Sequence, residues 1–193
     1  MKRLSMAIAS LLLTGVALTP TASAAPIQWS SGVGGNDHWY EFIATNVTAP
    51  DAFAAAAGST YLGMTGYLAT VTSATENMFV SSSLANGALA WLGGSDDGAP
   101  VNQWTWRNGP EAGQAFTYTN WGAGEPNNCC GGENYLHTNW AGLGVWNDHG
   151  GPGNAGQMNG YVVEYSSAVP EPATFALLGA GLTLLGLRRK KRS

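Results

Sequence analysis

Between Trp121 and Asp148 the chain reads Trp-Gly-Ala-Gly-Glu-Pro-Asn-Asn-Cys-Cys-Gly-Gly-Glu-Asn and, after a short spacer, Trp146-Asn147-Asp148. Glycine, proline and asparagine put this backbone into turns. Glu125, Asn127, Glu133, Asn147 and Asp148 fall within 24 positions of it, and no Lys or Arg lies among them. Three carboxylates and two amides gathered on turn-forming chain repel one another unless a cation sits between them. They are hard oxygen donors of the kind Ca²⁺ collects, about 6–8 at a time from carboxylates, Asn side chains and carbonyls. The five side chains are therefore candidate Ca²⁺ ligands, in a site that can hold a guest from outside the protein.

Three short motifs, in order and correctly spaced, carry a family resemblance. Glu125-Pro126-Asn127 with a Glu six residues after that Asn, then Trp146-Asn147-Asp148, then the strand-like Tyr161-Val162-Val163-Glu164-Tyr165, resemble C-type lectin domains over roughly residues 27–165. The resemblance implies an α+β fold: two helices flanking small antiparallel sheets, with a long irregular calcium-binding loop region. It also implies that Pro126 follows a cis peptide bond, which aims Glu125 and Asn127 at one point, and that the Asp148 carbonyl adds a sixth oxygen. Two coordination positions would then remain for two sugar hydroxyls, with Glu125, Asn127, Glu133 and Asn147 hydrogen-bonding the same hydroxyls. The Glu-Pro-Asn order belongs to the mannose-type subset, which implies mannose, glucose or fucose rather than galactose. A second calcium site found in part of the family is degraded here: Asp97 matches a ligand, but Val101 stands where Glu is expected and Asn128 where Asp is expected.

Both ends read as addresses rather than fold. Met1-Lys2-Arg3, an apolar stretch to Leu18 and Ala22-Ser23-Ala24 form a signal peptide over residues 1–24, and the mature chain starts near Ala25. At the other end, residues 169–193 hold Pro170-Glu171-Pro172, an apolar run from Ala173 to Leu187 and a terminal Arg/Lys cluster. The run is shorter than the roughly 17–25 residues of a spanning helix, and the basic cluster would stay cytoplasmic. This tail resembles the PEP-CTERM sorting signals of Gram-negative bacteria. That implies transient inner-membrane anchoring, cleavage by an exosortase-type enzyme, and release to the cell surface or an exopolysaccharide matrix. A plain C-terminal membrane anchor is the alternative.

Once the ends are set aside, residues 25–168 make one domain-sized segment. Its one cation is Arg107 against eleven carboxylates, a formal net charge of −10. Phosphate-backbone binding needs clustered Lys and Arg, so nucleic acid is excluded as a partner. The only cysteines, Cys129 and Cys130, are adjacent and cannot supply the long-range bridges that small secreted domains often use. C-type lectins usually carry two such bridges, and two of the expected positions hold Tyr135 and Val163 here. Cys129 and Cys130 are left with a vicinal disulfide, an interchain bond or the reduced state.

Along the chain, Trp39 to Ile43 reads as a first strand that would pair with the last, Tyr161 to Tyr165. Thr48 with Asp51 caps one helix, ended by Gly58, and Ser73 with Glu76 caps a second running to about Leu84. The charges on both helices read as caps. Ala90 to Gly94, Trp104 to Trp106 and Phe116 to Thr119 read as strands. From Trp121 to Gly160 few regular elements are expected, which usually marks a functional loop. His137 and Trp140, in the spacer, stand between sugar contact and packing. No catalysis is expected. No Gly-x-Ser-x-Gly elbow is present, the three histidines lack zinc spacing, and Asp148-His149 is the one suggestive doublet. The function implied is a secreted, calcium-dependent carbohydrate-binding module. The alternative is a structural or protein-binding matrix component in which calcium only orders the loop.

Overall fold

The structure, a computed structural model, describes residues 25–151 and 156–166. The expected signal peptide over residues 1–24 and the expected sorting tail, with Pro170, Glu171 and Pro172, lie outside the described residues. Among the described residues no helix is long and apolar enough to cross a membrane.

The order of elements is β1 (Ile27–Gln28), a 3₁₀ turn (Ser31–Val33), β2 (Trp39–Ile43), α1 (Ala49–Gly58), β3 (Thr60–Tyr61), β4 (Met64–Leu68), α2 (Ala74–Met78) extended by a π-helical turn (Phe79–Leu84), β5 (Ala90–Ser95), β6 (Thr105–Trp106), β7 (Tyr135–Thr138), β8 (Trp146–His149) and β9 (Gly160–Tyr165). Among the described residues these nine strands join into one sheet, with β1-β2-β9-β5-β7-β8 as its main path. The first and last long strands pair antiparallel as expected, Trp39 opposite Tyr165 through Ile43 opposite Tyr161. One pairing is parallel, β5 with β9.

Both faces of the central strands are buried, and the period-2 alternation of a strand sorts their side chains into two cores. Val162 of β9 and Ala90 and Leu92 of β5 join Trp106, Leu136, Trp146 and Val80 of the second helical segment. Tyr161, Val163 and Tyr165, with Trp91, join Ala49, Ala52 and Ala56 of α1. The three alanines recur at helical spacing, so α1 lies close against the sheet. Tyr135 and Val163, at positions where the resemblance puts cysteines, are absorbed into this second core. Packing stands where a bridge was implied.

Several local expectations need correction. Phe116 to Thr119 is not a strand: only Ala115 forms an isolated bridge, to Thr105, and Phe116 instead turns its ring onto Trp106 at 4.3 Å. Gly94 of β5 permits this, since a Cβ there would stand 2.4 Å from the Phe116 ring. The stretch from Trp121 to Gly160 is also more regular than its composition implies, because β7 and β8 form a hairpin inside it with Tyr135 opposite His149 and Thr138 opposite Trp146. Pairing to β5 supplies the order that local propensity withholds.

Glu76 is the third correction. Ser73 Oγ does accept the Glu76 N–H at 3.2 Å, but the Glu76 carboxylate does not return to the cap. It is 2% exposed and accepts the Thr72 N–H at 2.7 Å, the Thr72 hydroxyl at 3.0 Å and the Tyr40 hydroxyl at 2.7 Å. Tyr40 Oη also lies 3.2 Å from Glu164. Glu164 in turn faces His38 Nδ1 and accepts the N–H and hydroxyl of Thr70. Burial first, then the Glu164 charge, raises the Glu76 pKa. The hydrogen bond to Glu164 raises that of His38.

Both groups hold their protons more tightly in the folded state than in the unfolded chain. Their stabilising effect is complete below the ordinary values of 4.5 for Glu76 and 6.5 for His38, and is lost as pH rises through the raised values. In the presence of a chelator, Tm is expected to fall as pH is raised beyond 6.5, and His38→Gln to flatten that fall. A wild-type Tm indifferent to pH in this range contradicts the network. Trp146→Ala, emptying a fully buried core position, is expected to cost about 3–5 kcal/mol in denaturant unfolding.

Candidate functional site

The candidate ligands come from two places that the fold brings together. Asn147 and Asp148 sit in β8, held at a fixed depth by the sheet. Glu125 to Glu133 lie on the loop that enters from Trp121, whose ring packs edge-on against Trp146 at 5.8 Å. The Gly122 N–H donates to the Trp146 carbonyl and the Trp146 N–H to the Asn120 carbonyl, so the loop docks beside the start of β8. Trp146 is itself anchored by its indole N–H, which donates to Asn77 at 2.7 Å. The Glu125–Pro126 peptide is cis, as the resemblance implies.

Within the loop, main-chain N–H groups hold the carboxylates. Asp148, fully buried, accepts the N–H of Asn127 at 3.1 Å on one oxygen and of Asn128 at 2.7 Å on the other. Glu133, 5% exposed, accepts the Cys129 N–H at 3.2 Å on Oε2, and its Oε1 lies 2.9 Å from His149 Nδ1. Asn127 Oδ1 also accepts from Cys129 N–H, and Asn128 Oδ1 accepts the Glu133 N–H. Cys129 and Cys130 are joined as a vicinal disulfide.

Glu125 is the exception. Its Oε2 is buried and lacks a hydrogen-bond partner. Its pKa is raised, first by burial and then by the charges of Asp148 and Glu133. An orphaned carboxylate oxygen crowded by two other carboxylates is the local signature of a place that a cation would relieve. Asn127 and Asn147 supply neutral oxygens alongside, so the donor set fits a hard divalent ion. Among the described residues no three His, Cys, Asp or Glu side chains are gathered tightly enough to hold a metal unaided. The candidate set therefore depends on its amides as much as on its carboxylates.

Other candidates fall away from the site or change role. Asp97 accepts from the Tyr135 hydroxyl, Val101 is 61% exposed and Asn128 is engaged with Glu133, so the degraded second set is spent on internal bonds. Asp148 and His149 do not form a dyad, since Asp148 is held by main-chain N–H groups and His149 turns to Glu133. His137 is fully buried, with burial pushing its pKa down to about 4. Trp140 is exposed, its ring edge-on to His137. Sequence reasoning had no signal for His137 as a neighbour of Asn147, because that contact arises only from the β7–β8 register.

Comparison with known proteins bears on the fold and on the C-terminal tail. Residues 168–192 match the family model of the PEP-CTERM protein-sorting motif, which marks a surface-directed or extracellular protein. The chain is similar to halomucin of Haloquadratum walsbyi, 32% identical over 148 residues that make up 72% of this chain and 2% of halomucin. It is also similar to ladderlectin of Oncorhynchus mykiss, 38% identical over 85 residues, 42% of each protein. It thus spans less than half the length of either relative. Among solved structures, C-type lectin CEL-I of Cucumaria echinata superposes with a TM-score of 0.57 at 24% identity, covering 69% of this chain and 93% of CEL-I. The cow CD23 C-type carbohydrate-recognition domain does so with a TM-score of 0.53 at 25% identity, covering 69% of this chain and 92% of that one. The chain carries a C-type lectin-like domain followed by a PEP-CTERM sorting tail.

Glu125→Gln tests the crowding at the site. In chelator the variant is expected to be no less stable than wild type, because a like charge has gone. The rise in Tm that Ca²⁺ gives the wild type is expected to disappear from the variant. Thermal unfolding with and without Ca²⁺ reads both.

Proposed function

We propose that the protein is a secreted, calcium-dependent carbohydrate-binding module, the folded domain spanning residues 25–168 and the tail being removed by an exosortase-type enzyme. The observation that carries this reading is the unpartnered, buried Glu125 oxygen beside Asp148 and Glu133, on a loop whose Glu-Pro-Asn order is that of mannose-type lectins. Glu125, Asn127, Glu133, Asn147 and Asp148 would hold Ca²⁺. When bound, the ion supplies open coordination positions that attract vicinal hydroxyls. Glu125 and Glu133 offer hydroxyls acceptor oxygens, while Asn127, whose oxygen is engaged with Cys129, offers N–H donors. An acceptor facing a donor suits adjacent equatorial hydroxyls of the mannose, glucose or fucose type. The β8 strand and the amides of Asn127 and Asn128 keep Asp148 from swinging, so the loop is oriented before a guest arrives.

The cow CD23 domain, similar in fold, was solved in the presence of a GlcNAc2Man3 oligosaccharide, which supports a glycan as the guest. A grip on two hydroxyls in an open loop is weak, near millimolar or about −4 kcal/mol, so retention on a surface or exopolysaccharide would draw on many copies along a repetitive polymer. The second reading, a matrix component in which calcium only orders the loop, is favoured by the number of internal bonds already made by Asp148 and Glu133.

Purified protein is expected to be retained on mannose resin and released by a chelator. Glu133→Ala combined with Asn147→Ala is expected to abolish both retention and calcium stabilisation while leaving the circular-dichroism spectrum unchanged. Retention indifferent to the chelator overturns the proposal. Calcium stabilisation without any glycan retention selects the second reading.

A further inference from the structure

Asn127 and Glu133 stand at the two ends of a short stretch of chain, and that stretch contains a tight reversal. The Gly132 N–H donates to the Cys129 carbonyl at 3.1 Å. The two residues inside this turn, Cys130 and Gly131, both have positive φ, 60° and 95°. Turns with both central residues left-handed ordinarily draw on Gly, Asn or Asp. Gly131 meets that demand, whereas a side chain such as that of Cys130 is rarely found there. What sets Cys130 apart is its bond to Cys129. The bridge closes a small ring that contains the peptide between the two residues, so the Cys130 backbone turns only as far as the ring allows.

The reversal is also what draws the candidate ligands together. It returns the chain so that the Cys129 N–H reaches Glu133 Oε2 at 3.2 Å while donating to Asn127 Oδ1 at 2.9 Å. The Glu133 N–H reaches back to Asn128 Oδ1 at 2.9 Å. One main-chain N–H, that of a bridged cysteine, thus touches oxygens of two candidate Ca²⁺ ligands. The bridge lies at the surface, with Cys130 exposed and Cys129 half-buried. A thiol from solvent meets it without unfolding the domain.

We propose that the Cys129–Cys130 bridge is a redox-sensitive latch on the cation site, opened by a dithiol. Closed, it holds the turn that sets Glu133 against Asn127. Open, it lets the turn relax, and the site loses its grip on Ca²⁺ and on the glycan that the ion holds. This deepens the proposed function and rests on it. A thiolate of the dithiol attacks one sulfur of the bridge, forming a mixed disulfide and releasing the other sulfur as a thiolate that takes up a proton. The second thiol then attacks the dithiol's own sulfur in that mixed disulfide and ejects the remaining cysteine. The products are an oxidised dithiol and two protein thiols, so two electrons and two protons pass to the bridge. With the ring open, Cys130 is free to leave the left-handed region, and the hydrogen bonds that cross the turn lose their geometry.

The test titrates the purified protein with Ca²⁺ by calorimetry, untreated and after reduction by dithiothreitol with the reductant removed under argon. The untreated protein is expected to hold no free thiol, and the reduced protein to expose both. Disturbing the groups that orient metal ligands typically weakens the metal about 10–100-fold, and a loss of that size is expected on reduction, with recovery after glutathione disulfide. Cys129→Ser with Cys130→Ser is expected to bind as weakly as the reduced protein, with or without dithiothreitol. Cys129→Ser with Cys130→Gly is expected to regain most of the affinity, because glycine accepts the left-handed backbone without a bridge. A bridge that served only general stability would not produce this split, and the circular-dichroism spectrum is expected to stay the same throughout. Equal Ca²⁺ affinity in the oxidised and reduced proteins overturns the proposal, as do free thiols in the untreated protein or a glycine variant no tighter than the double serine. A wild type that takes up no Ca²⁺ in either state overturns the proposed function instead. The latch is then decided in chelator by NMR exchange of the Cys129 main-chain amide proton, which reduction is expected to speed; an unchanged rate overturns it.

Discussion

Negative charge with almost nothing to neutralise it is the constraint on which this domain depends. Residues 25–168 hold eleven carboxylates and one arginine, Arg107, and six of those carboxylates meet the interior or the loop site. Burying an ionised carboxylate is costly unless donors or a counter-charge compensate it. The fold provides compensation in two ways. Where β2, β4 and β9 converge, hydroxyls, main-chain N–H groups and His38 surround Glu76 and Glu164. At the loop site main-chain N–H groups satisfy Asp148 and part of Glu133, and one oxygen of Glu125 is left over. The difference between these clusters is the difference between a closed structural network and a place with unspent valence.

The same chain must hold itself together without long-range disulfides, and the sheet shows how. Pairing of β2 with β9 joins the beginning of the domain to its end over five residue pairs. Two cores, one on each face, clamp the central strands. Tryptophans supply much of one of them: Trp104 meets Trp121, and Trp146 meets Trp106, Trp121 and Phe116, edge to face, while Phe116 stacks on Trp121, geometries favoured by the aromatic quadrupole. This cluster is structural, yet it lies directly beneath the site. Trp121 opens the loop and Trp146 precedes Asn147, so packing in the core sets where the ligands stand.

Much of the fold was legible in the chain because some signals are local. Thr48 and Ser73 announce helix starts through side chains that accept N–H groups three residues on, and the alternation in Trp39–Ile43 and Tyr161–Tyr165 announces strands. The motifs Glu-Pro-Asn and Trp-Asn-Asp were legible for a similar reason, since their spacing is carried within the sequence. Illegible were features that depend on a distant partner. Phe116 to Thr119 alternates like a strand, but no neighbouring strand lies alongside and its ring is drawn into the tryptophan cluster. Tyr135–Thr138 and Trp146–His149 lie among turn-formers and become strands because β5 offers an edge to the first and the first offers one to the second. Glu76 has the spacing of a cap, while its carboxylate serves a buried network reaching residues 36 and 88 positions away.

What the sequence determined alone is the inventory: acidic and amide groups concentrated on turn-forming chain, a scarcity of cations, the amphipathic periods and the C-terminal sorting motif. These follow from residue chemistry and spacing, which need no partner to be stated. Tertiary structure alone decided how each polar atom is spent. Only the β7–β8 register sets His137 behind Asn147, and only loop docking brings two main-chain N–H groups to Asp148 while leaving Oε2 of Glu125 without a partner. The physical reason is that hydrogen-bond donors and acceptors are satisfied across space, so which oxygen remains for an outside partner depends on every contact the fold has already made.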